Sequence, residues 1–273
     1  MRAFQLFGQS ISYTASPAIQ HAALAELGLP HRYEVVDTTQ EEFPRLAARM
    51  RGTDGGANVT IPFKEAAFRL VDELSEDARE MRAVNTIVVD GERLVGHNTD
   101  LPAIEDELRE LVPRGAGRAV VLGAGGASRA VQLALARQGA EVVVAQRRDG
   151  TLAQVAEWLP GADLLVNCTP VGTASGELPV DRELLRPDLA VFDLIYRPSP
   201  TALVRAARTL GAPARAGGGM LVGQAWRSLG LWLASDGVQV GSAVALPMQV
   251  ALDRELADEL EAELEGELEG DDD

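Results

Sequence analysis

Cysteine occurs once in this chain, at position 168, so no disulfide can close within it and no cysteine-rich metal site is available. The three histidines, His21, His31 and His97, fall at spacings that suit no metal-ligand set, and surface or satisfied polar roles are expected for them. No apolar run approaches the ~20 residues needed to cross a bilayer. The N-terminus, Met1-Arg2-Ala3-Phe4-Gln5, lacks the apolar stretch and small-residue cleavage site of a secretory leader. These absences point to the cytoplasm and away from a membrane. Basic residues number 25 against 41 acids and form no stripe that would track phosphates, so nucleic-acid binding is not expected. Lysine is as scarce as cysteine: position 64 holds the only one, and the other 24 basic residues are arginine.

What is present is ordinary in bulk. Hydrophobic residues at 46% supply ample core for two modest domains or one large one in 273 residues. The net charge of −16 is uneven: Asp253 to Asp273 carries 12 acids and one arginine. Leu252, Leu256, Leu260 and Leu264 recur every four residues there, which predicts an amphipathic helix, followed by a loose acidic stretch over 265–273.

A lone lysine in an arginine-rich chain needs a reason. Ion pairing and solvation accept either residue, but arginine stays protonated at any workable pH, whereas a lysine amine can lose and regain a proton. Lys64 is therefore a candidate for proton transfer.

Hydrophobic patterning divides the chain. In the first hundred residues strands are expected at 2–7, 32–36, 55–59, 86–89 and 93–96, the last two paired around Asp90-Gly91. Helices are expected at 17–27, started by Ser16 as cap and Pro17, and at 41–50, 63–70 and 76–81. The second half opens with a buried-strand pattern at 118–122, the turn Gly123-Ala-Gly-Gly-Ala-Ser128, a helix over 129–138 stopped by Gly139, and a strand at 141–145. Further strands fit 163–167 and 189–193, and a helix fits 220–233. Such alternation implies a parallel sheet with helices on both faces.

The glycine turn sits between a strand and a helix, the setting in which a helix N-terminus receives a pyrophosphate. The strand that follows ends in Gln146-Arg147-Arg148, where an acid would select NAD. Two guanidinium groups suit the 2′-phosphate of NADP, with Asp149 expected to pair with an arginine. Polar clusters punctuate the first half at strand ends and helix starts: Thr14-Ala-Ser16-Pro17, Asn58-Val-Thr60-Ile-Pro62-Phe-Lys64, Ala83-Val-Asn85-Thr86 and Asn98-Thr99-Asp100. Trp226 and Trp232 follow helical spacing and are expected in the core, and Cys168 in buried packing.

Taken in order, T-A-S-P, N-V-T-I-P-F-K, A-V-N-T, G-H-N-T-D, G-A-G-G-A, N-C-T-P-V-G, D-L-I-Y-R-P and G-G-G-M-L-V-G-Q resemble the shikimate dehydrogenase family from Gly8 to about Trp232. The resemblance implies a two-domain α/β enzyme with a cleft between its lobes. An N-terminal substrate-binding lobe (1–100, completed by C-terminal helices within 217–264) would precede a Rossmann-type NADP-binding domain (101–216). It implies NADP-dependent interconversion of 3-dehydroshikimate and shikimate, with Lys64 and Asp100 as the catalytic pair. Thr14, Ser16, Thr60, Asn85, Tyr196 and Gln224 would line the substrate. Glu76, Gly123, Ala124, Gly125, Gly126, Ala127, Gln146, Arg147, Arg148, Leu194 and Gly217 would meet the cofactor, and no metal is implied. The chain departs from the family's pattern at Tyr13, Thr14, Gln20, Arg82 and Leu101. A related cyclitol acid, such as quinate or an aminated shikimate, is therefore the alternative substrate, and a silent NADP-binding paralogue the alternative role. Monomer and homodimer are both open.

Overall fold

The structure, a computed structural model, describes residues 1–173 and 176–270, with side chains placed as far as residue 258. The chain divides into two compact units. One comprises Met1–Asp100 and Val222–Glu255; the other comprises Leu101–Leu221 and the chain from Leu256.

The first unit is built on β1 (Ala3–Gly8), α1 (Ser16–Glu26), β2 (Arg32–Asp37), α2 (Phe43–Ala48), β3 (Gly56–Val59), α3 (Lys64–Leu70), β4 (Glu73–Leu74), α4 (Glu76–Met81), β5 (Thr86–Asp90) and β6 (Arg93–His97). Its six-stranded sheet runs β2-β1-β3-β5-β6-β4. β1 is parallel to β2 and β3, while β5 is antiparallel to β3 and β6. All four residues of β3 are buried, as a central strand covered on both faces requires. The two-residue β4 was not expected, being too short for any periodicity to register.

The second unit begins in α5 (Asp100–Leu111) and continues through β7 (Arg118–Leu122), α6 (Gly126–Arg137), β8 (Glu141–Ala145), α7 (Val155–Trp158), β9 (Leu164–Asn167), β10 (Ala190–Asp193), α8 (Ala202–Thr209) and β11 (Ala214–Ala216). All paired strands are parallel, in the order β11-β10-β9-β7-β8. β7 has β8 on one side and β9 on the other, so the winding reverses at its carboxyl end. That is where open α/β sheets leave a crevice for ligands. Two last helices follow, α9 (Gly218–Leu233) and α10 (Ala245–Gly270).

Several expectations are corrected. Ser16 does not cap α1: Ala15 holds the cap position, and the Ser16 hydroxyl is engaged by Thr14. α6 starts three residues earlier than expected, so Gly126 belongs to its first turn. The stretch from 265 is helical as far as Gly270, and 271–273 lie outside the described residues, as do the Leu260 and Leu264 side chains. Trp232 is core, stacked on Phe4 with centroids 4.7 Å apart, its indole N–H donating to Ile87 O at 2.9 Å. A side chain at Gly56 would collide with that ring, so this strand residue must be glycine. Trp226 is not core; it is half-buried beneath the Arg227 guanidinium, 4.3 Å from its centroid.

Arg82, one of the departures from the family's pattern, closes α4 at φ 52°, in the left-handed region. Its side chain is exposed. A Cβ there costs more than the chain entropy that glycine would add, so Arg82→Gly is expected to stabilise the fold by about 0.5–1 kcal/mol. A urea titration reads this as a higher midpoint at unchanged slope, and a lower midpoint would contradict it.

Candidate active site and nucleotide site

In the first unit, strand ends deliver the polar clusters to one region. β3 runs into Thr60, whose carbonyl accepts from Phe63 N–H at 2.9 Å, and α3 begins at Lys64. β6 ends at His97, and α5 begins at Asp100 after Asn98 and Thr99. Lys64 Nζ donates to Asp100 Oδ2 at 2.7 Å. The lysine side chain is 31% exposed and the carboxylate 12%, so the pair is half-sheltered yet open to a ligand.

Backbone hydrogen bonds hold both partners in place. Val84 N–H donates to Lys64 O at 3.0 Å, and Asn85 N–H to His97 O at 3.0 Å. Asn85 Oδ1 accepts from Thr99 N–H at 2.8 Å, and its amide donates to Thr99 Oγ1 at 2.9 Å. Asn98 donates to Ala83 O at 3.0 Å. The segment 83–85 thus grips the residue at one end of the ion pair and those preceding the other. Asn85 itself is 3% exposed, and its bonds with Thr99 serve this grip.

Beneath lies a buried hydroxyl and amide network. Tyr33 Oη donates to Asn58 Oδ1 at 2.8 Å, and Asn58 Nδ2 reaches Ser228 Oγ at 2.9 Å and Thr86 Oγ1 at 3.2 Å. Ser228 meets Thr86 at 2.7 Å and Thr99 at 3.1 Å. Burial pushes the Tyr33 phenol well up, so it stays a neutral donor, and Ser16 also hydrogen-bonds it. Ser16 in turn accepts from Thr14 Oγ1 at 3.0 Å. Neither Tyr33 nor Ser228 is marked by any sequence motif, whereas Asn58, Thr86 and Thr99 stand within the polar clusters. Tyr33 and Ser228 lie 25 and 170 residues from Asn58, with no local pattern to connect them.

Thr60 packs its methyl against Gly8, where a side chain could not fit. Gln224 lies half-buried in α9. Of the departures, Leu101 is fully buried, Tyr13 is 63% exposed, and Gln20 is buried with its amide donating to Ala225 O at 3.1 Å. Only Thr14 sits directly on the polar line that includes Ser16.

In the second unit, a cavity of about 600 Å³ opens at the switch point, lined among others by Gly123, Ala124, Gln146, Arg147, Arg148 and Thr169. Gly123 has φ +100°, and a Cβ on it would come within 3.1 Å of Cys168 O. At Gly125 and Gly126 an added Cβ would meet open space, and residues 124–127 are exposed at the start of α6. Free N–H groups at a helix N-terminus and open room beside them fit a pyrophosphate. Ser128 is fully buried and donates to Gly123 O at 2.6 Å, bracing the turn.

Among the described residues neither Arg147 nor Arg148 has an ion-pair partner, and both are exposed. Asp149 does not pair with them. It accepts from Thr151 Oγ1 and Gln146 Nε2, each at 2.6 Å, and these donors hold its carboxyl below the usual range. The acid is thereby turned into the loop, leaving the guanidinium groups to set the local charge. Asp193 is buried and pushed upward by that burial, although Thr201, Ile195 and Asn167 donate to it. It braces the loop carrying Leu194 and Tyr196. Gly217 lies against the Leu194 carbonyl, which a Cβ would approach to 2.1 Å. Cys168 is partly buried at the end of β9, and burial pushes its thiol upward. Glu76 is exposed in the first turn of α4, in the first unit. His21 and His31 accept from the backbone N–H groups of Tyr33 and Arg2.

Residues 6–87 match the family model for the shikimate dehydrogenase substrate binding domain. The shikimate dehydrogenase (NADP(+)) of Methylocella silvestris is 40% identical over 257 residues, covering 86% of this chain and 91% of that protein. The shikimate 5-dehydrogenase of Thermus thermophilus, solved with NADP(H) and shikimate, is 35% identical with a TM-score of 0.83, covering 94% of this chain and all of the other. A quinate dehydrogenase from Corynebacterium glutamicum, solved with NAD, is more distant at 28% identity and a TM-score of 0.77, over 91% of this chain and 97% of the other. The likeness runs through both α/β units and nearly the full length of these relatives, and the chain belongs to the shikimate dehydrogenase family.

Proposed function

We propose that this protein interconverts 3-dehydroshikimate and shikimate with NADP(H), and that Lys64 and Asp100 are its catalytic pair. The observation that carries the reading is the 2.7 Å bond between the chain's single lysine and an aspartate at a helix start. Lys64 Nζ gives one hydrogen to Asp100 and keeps two for a ligand oxygen. An ammonium so placed stabilises an oxyanion developing at the substrate carbonyl and delivers the proton that converts it to a hydroxyl. Asp100 orients the amine through Oδ2 and accepts from the substrate hydroxyl through Oδ1.

With substrate bound, the Thr14 and Ser16 hydroxyls would turn from their present partners to donate to its carboxylate in place of an arginine. Thr60 and Gln224 line the ring, and Tyr196 is the candidate substrate contact carried by the second unit. Asn85 acts through the backbone of Thr99, holding Asp100 in place. NADP(H), when bound, accepts or supplies the hydride. The N–H groups at the start of α6 would hold its pyrophosphate, and Arg147 and Arg148 its 2′-phosphate through charge-assisted bonds. Gln146, Leu194 and Gly217 would contact the rest. Shikimate is favoured over other cyclitol acids because Leu101 and Arg82 face core and solvent, leaving only Thr14 altered on the polar line.

Initial rates with shikimate and quinate, each with NADP and NAD, test the reading. Fastest turnover of shikimate with NADP is expected. Tight NADP binding with no turnover of either acid would replace the enzyme by a sensor. Lys64→Ala is expected to lower kcat by about 10³-fold, roughly 4 kcal/mol of transition-state stabilisation, with NADP affinity retained. A near-normal kcat in that variant would remove the lysine from the chemistry. Replacing Arg147 and Arg148 by alanine is expected to raise KM for NADP about tenfold or more while KM for NAD stays nearly constant. Equal changes for the two cofactors would refute the phosphate contact.

A further inference from the structure

We infer that Glu107 and Arg215 form a positioning clamp that sets the helices of Asp100 and Gln224 in register for the reaction; this rests on the function proposed above. Glu107 lies on α5, two turns and about 10 Å along the axis from Asp100. Its side chain is only 8% exposed. Arg215 grips it with two bonds, Nε to Oε2 at 2.6 Å and Nη2 to Oε1 at 3.0 Å, and reaches Glu110 Oε2 with Nη1 at 2.9 Å. Such a fork holds direction as well as charge.

The carboxylate lies directly on the first turn of α9. A Cβ at Gly219 would come within 2.1 Å of Glu107 Oε1, so α5 and α9 touch there through a side chain that only glycine admits. An anion at a helix N-terminus is also favoured by the helix dipole. The same pair of helices is tied a second time, where Ser228 of α9 meets Thr99, the residue before Asp100, at 3.1 Å. Two ties remove the freedom of α5 and α9 to slide past each other. Asp100 is the first residue of one helix and Gln224 lies between the ties on the other. Arg215 also stands two residues before Gly217, whose backbone lies against Leu194. A buried ion pair is a poor source of stability, since apolar residues of equal volume often do as well. What it gives here is direction: a small misplacement of reacting groups costs rate out of proportion to its size.

The test compares full-length wild type, Glu107→Gln and Arg215→Lys. Three readouts are taken: kinetics with shikimate and NADP, the deuterium isotope effect with labelled shikimate, and amide hydrogen exchange over 218–226. Glu107→Gln is expected to lower kcat about tenfold or more, with KM for both ligands within about threefold, a larger isotope effect and faster exchange at the start of α9. Arg215→Lys keeps one charge contact and is expected to show a smaller change of the same kind, and it carries the test if Glu107→Gln does not fold. A lower melting point with unchanged kcat, isotope effect and exchange would reduce the pair to a structural role and overturn the clamp. An inactive wild type would count against the proposed function instead, and exchange alone would then decide whether the pair holds α9.

Discussion

The site depends on the grip of residues 83–85 on the elements that begin at Lys64 and Asp100. Lys64 and Asp100 start two helices that are 36 residues apart in sequence, and neither helix alone orients its first side chain toward the other. Val84 donates to the Lys64 carbonyl, and Asn85 accepts from the Thr99 N–H and donates to its hydroxyl. A helix start has unpaired N–H groups ahead of it and a chain direction set by what precedes it, so fixing residue 99 fixes residue 100. The buried asparagine carries this task because one amide can accept and donate at once. The ion pair is consequently a product of the scaffold. At 31% and 12% exposure its net contribution to stability is small.

Beneath the pair the polar network explains why the scaffold is rigid. Buried hydroxyls and amides are costly when unpaired and mutually reinforcing when satisfied. Tyr33, Asn58, Thr86, Thr99 and Ser228 bring together β2, β3, β5, the start of α5 and α9. Each bond that holds Thr99 from below also restrains Asp100. The same hydroxyl line extends through Ser16 to Thr14, so the residues assigned to the substrate carboxylate are braced from the same core.

Much of this was legible in the sequence, and the boundary between what was and what was not is physical. Elements announced by local chemistry were readable: β7, β8 and α4 have the bounds that periodicity predicts. The glycine turn was readable because a backbone needing φ +100° leaves a local mark. Ser16 was misread because proline beside serine imitates a capped start, while the hydroxyl is committed to a neighbour two residues back. Asp149 was misread for a similar reason: adjacency to arginine suggested an ion pair, but the loop turns it toward Thr151 and Gln146. Ser228 and Tyr33 left no local mark at all, since their meaning arises only when distant elements pack.

The lone lysine takes its meaning from this division between local and distant information. An arginine at residue 64 would keep the charge and could engage both oxygens of Asp100 with its fork. For the proposed reaction that would make a tighter salt bridge and a poorer site, because the second carboxylate oxygen would be lost to the substrate and the cation would no longer release a proton at workable pH. The sheltered but open setting of Asp100, the single bond at 2.7 Å and the short reach of an amine therefore belong together. Two arginines of the chain do fork onto carboxylates, Arg51 on Asp72 and Arg215 on Glu107, where direction and charge suffice. Where, in the proposed reaction, a cation also gives up a proton, the arrangement calls for an amine.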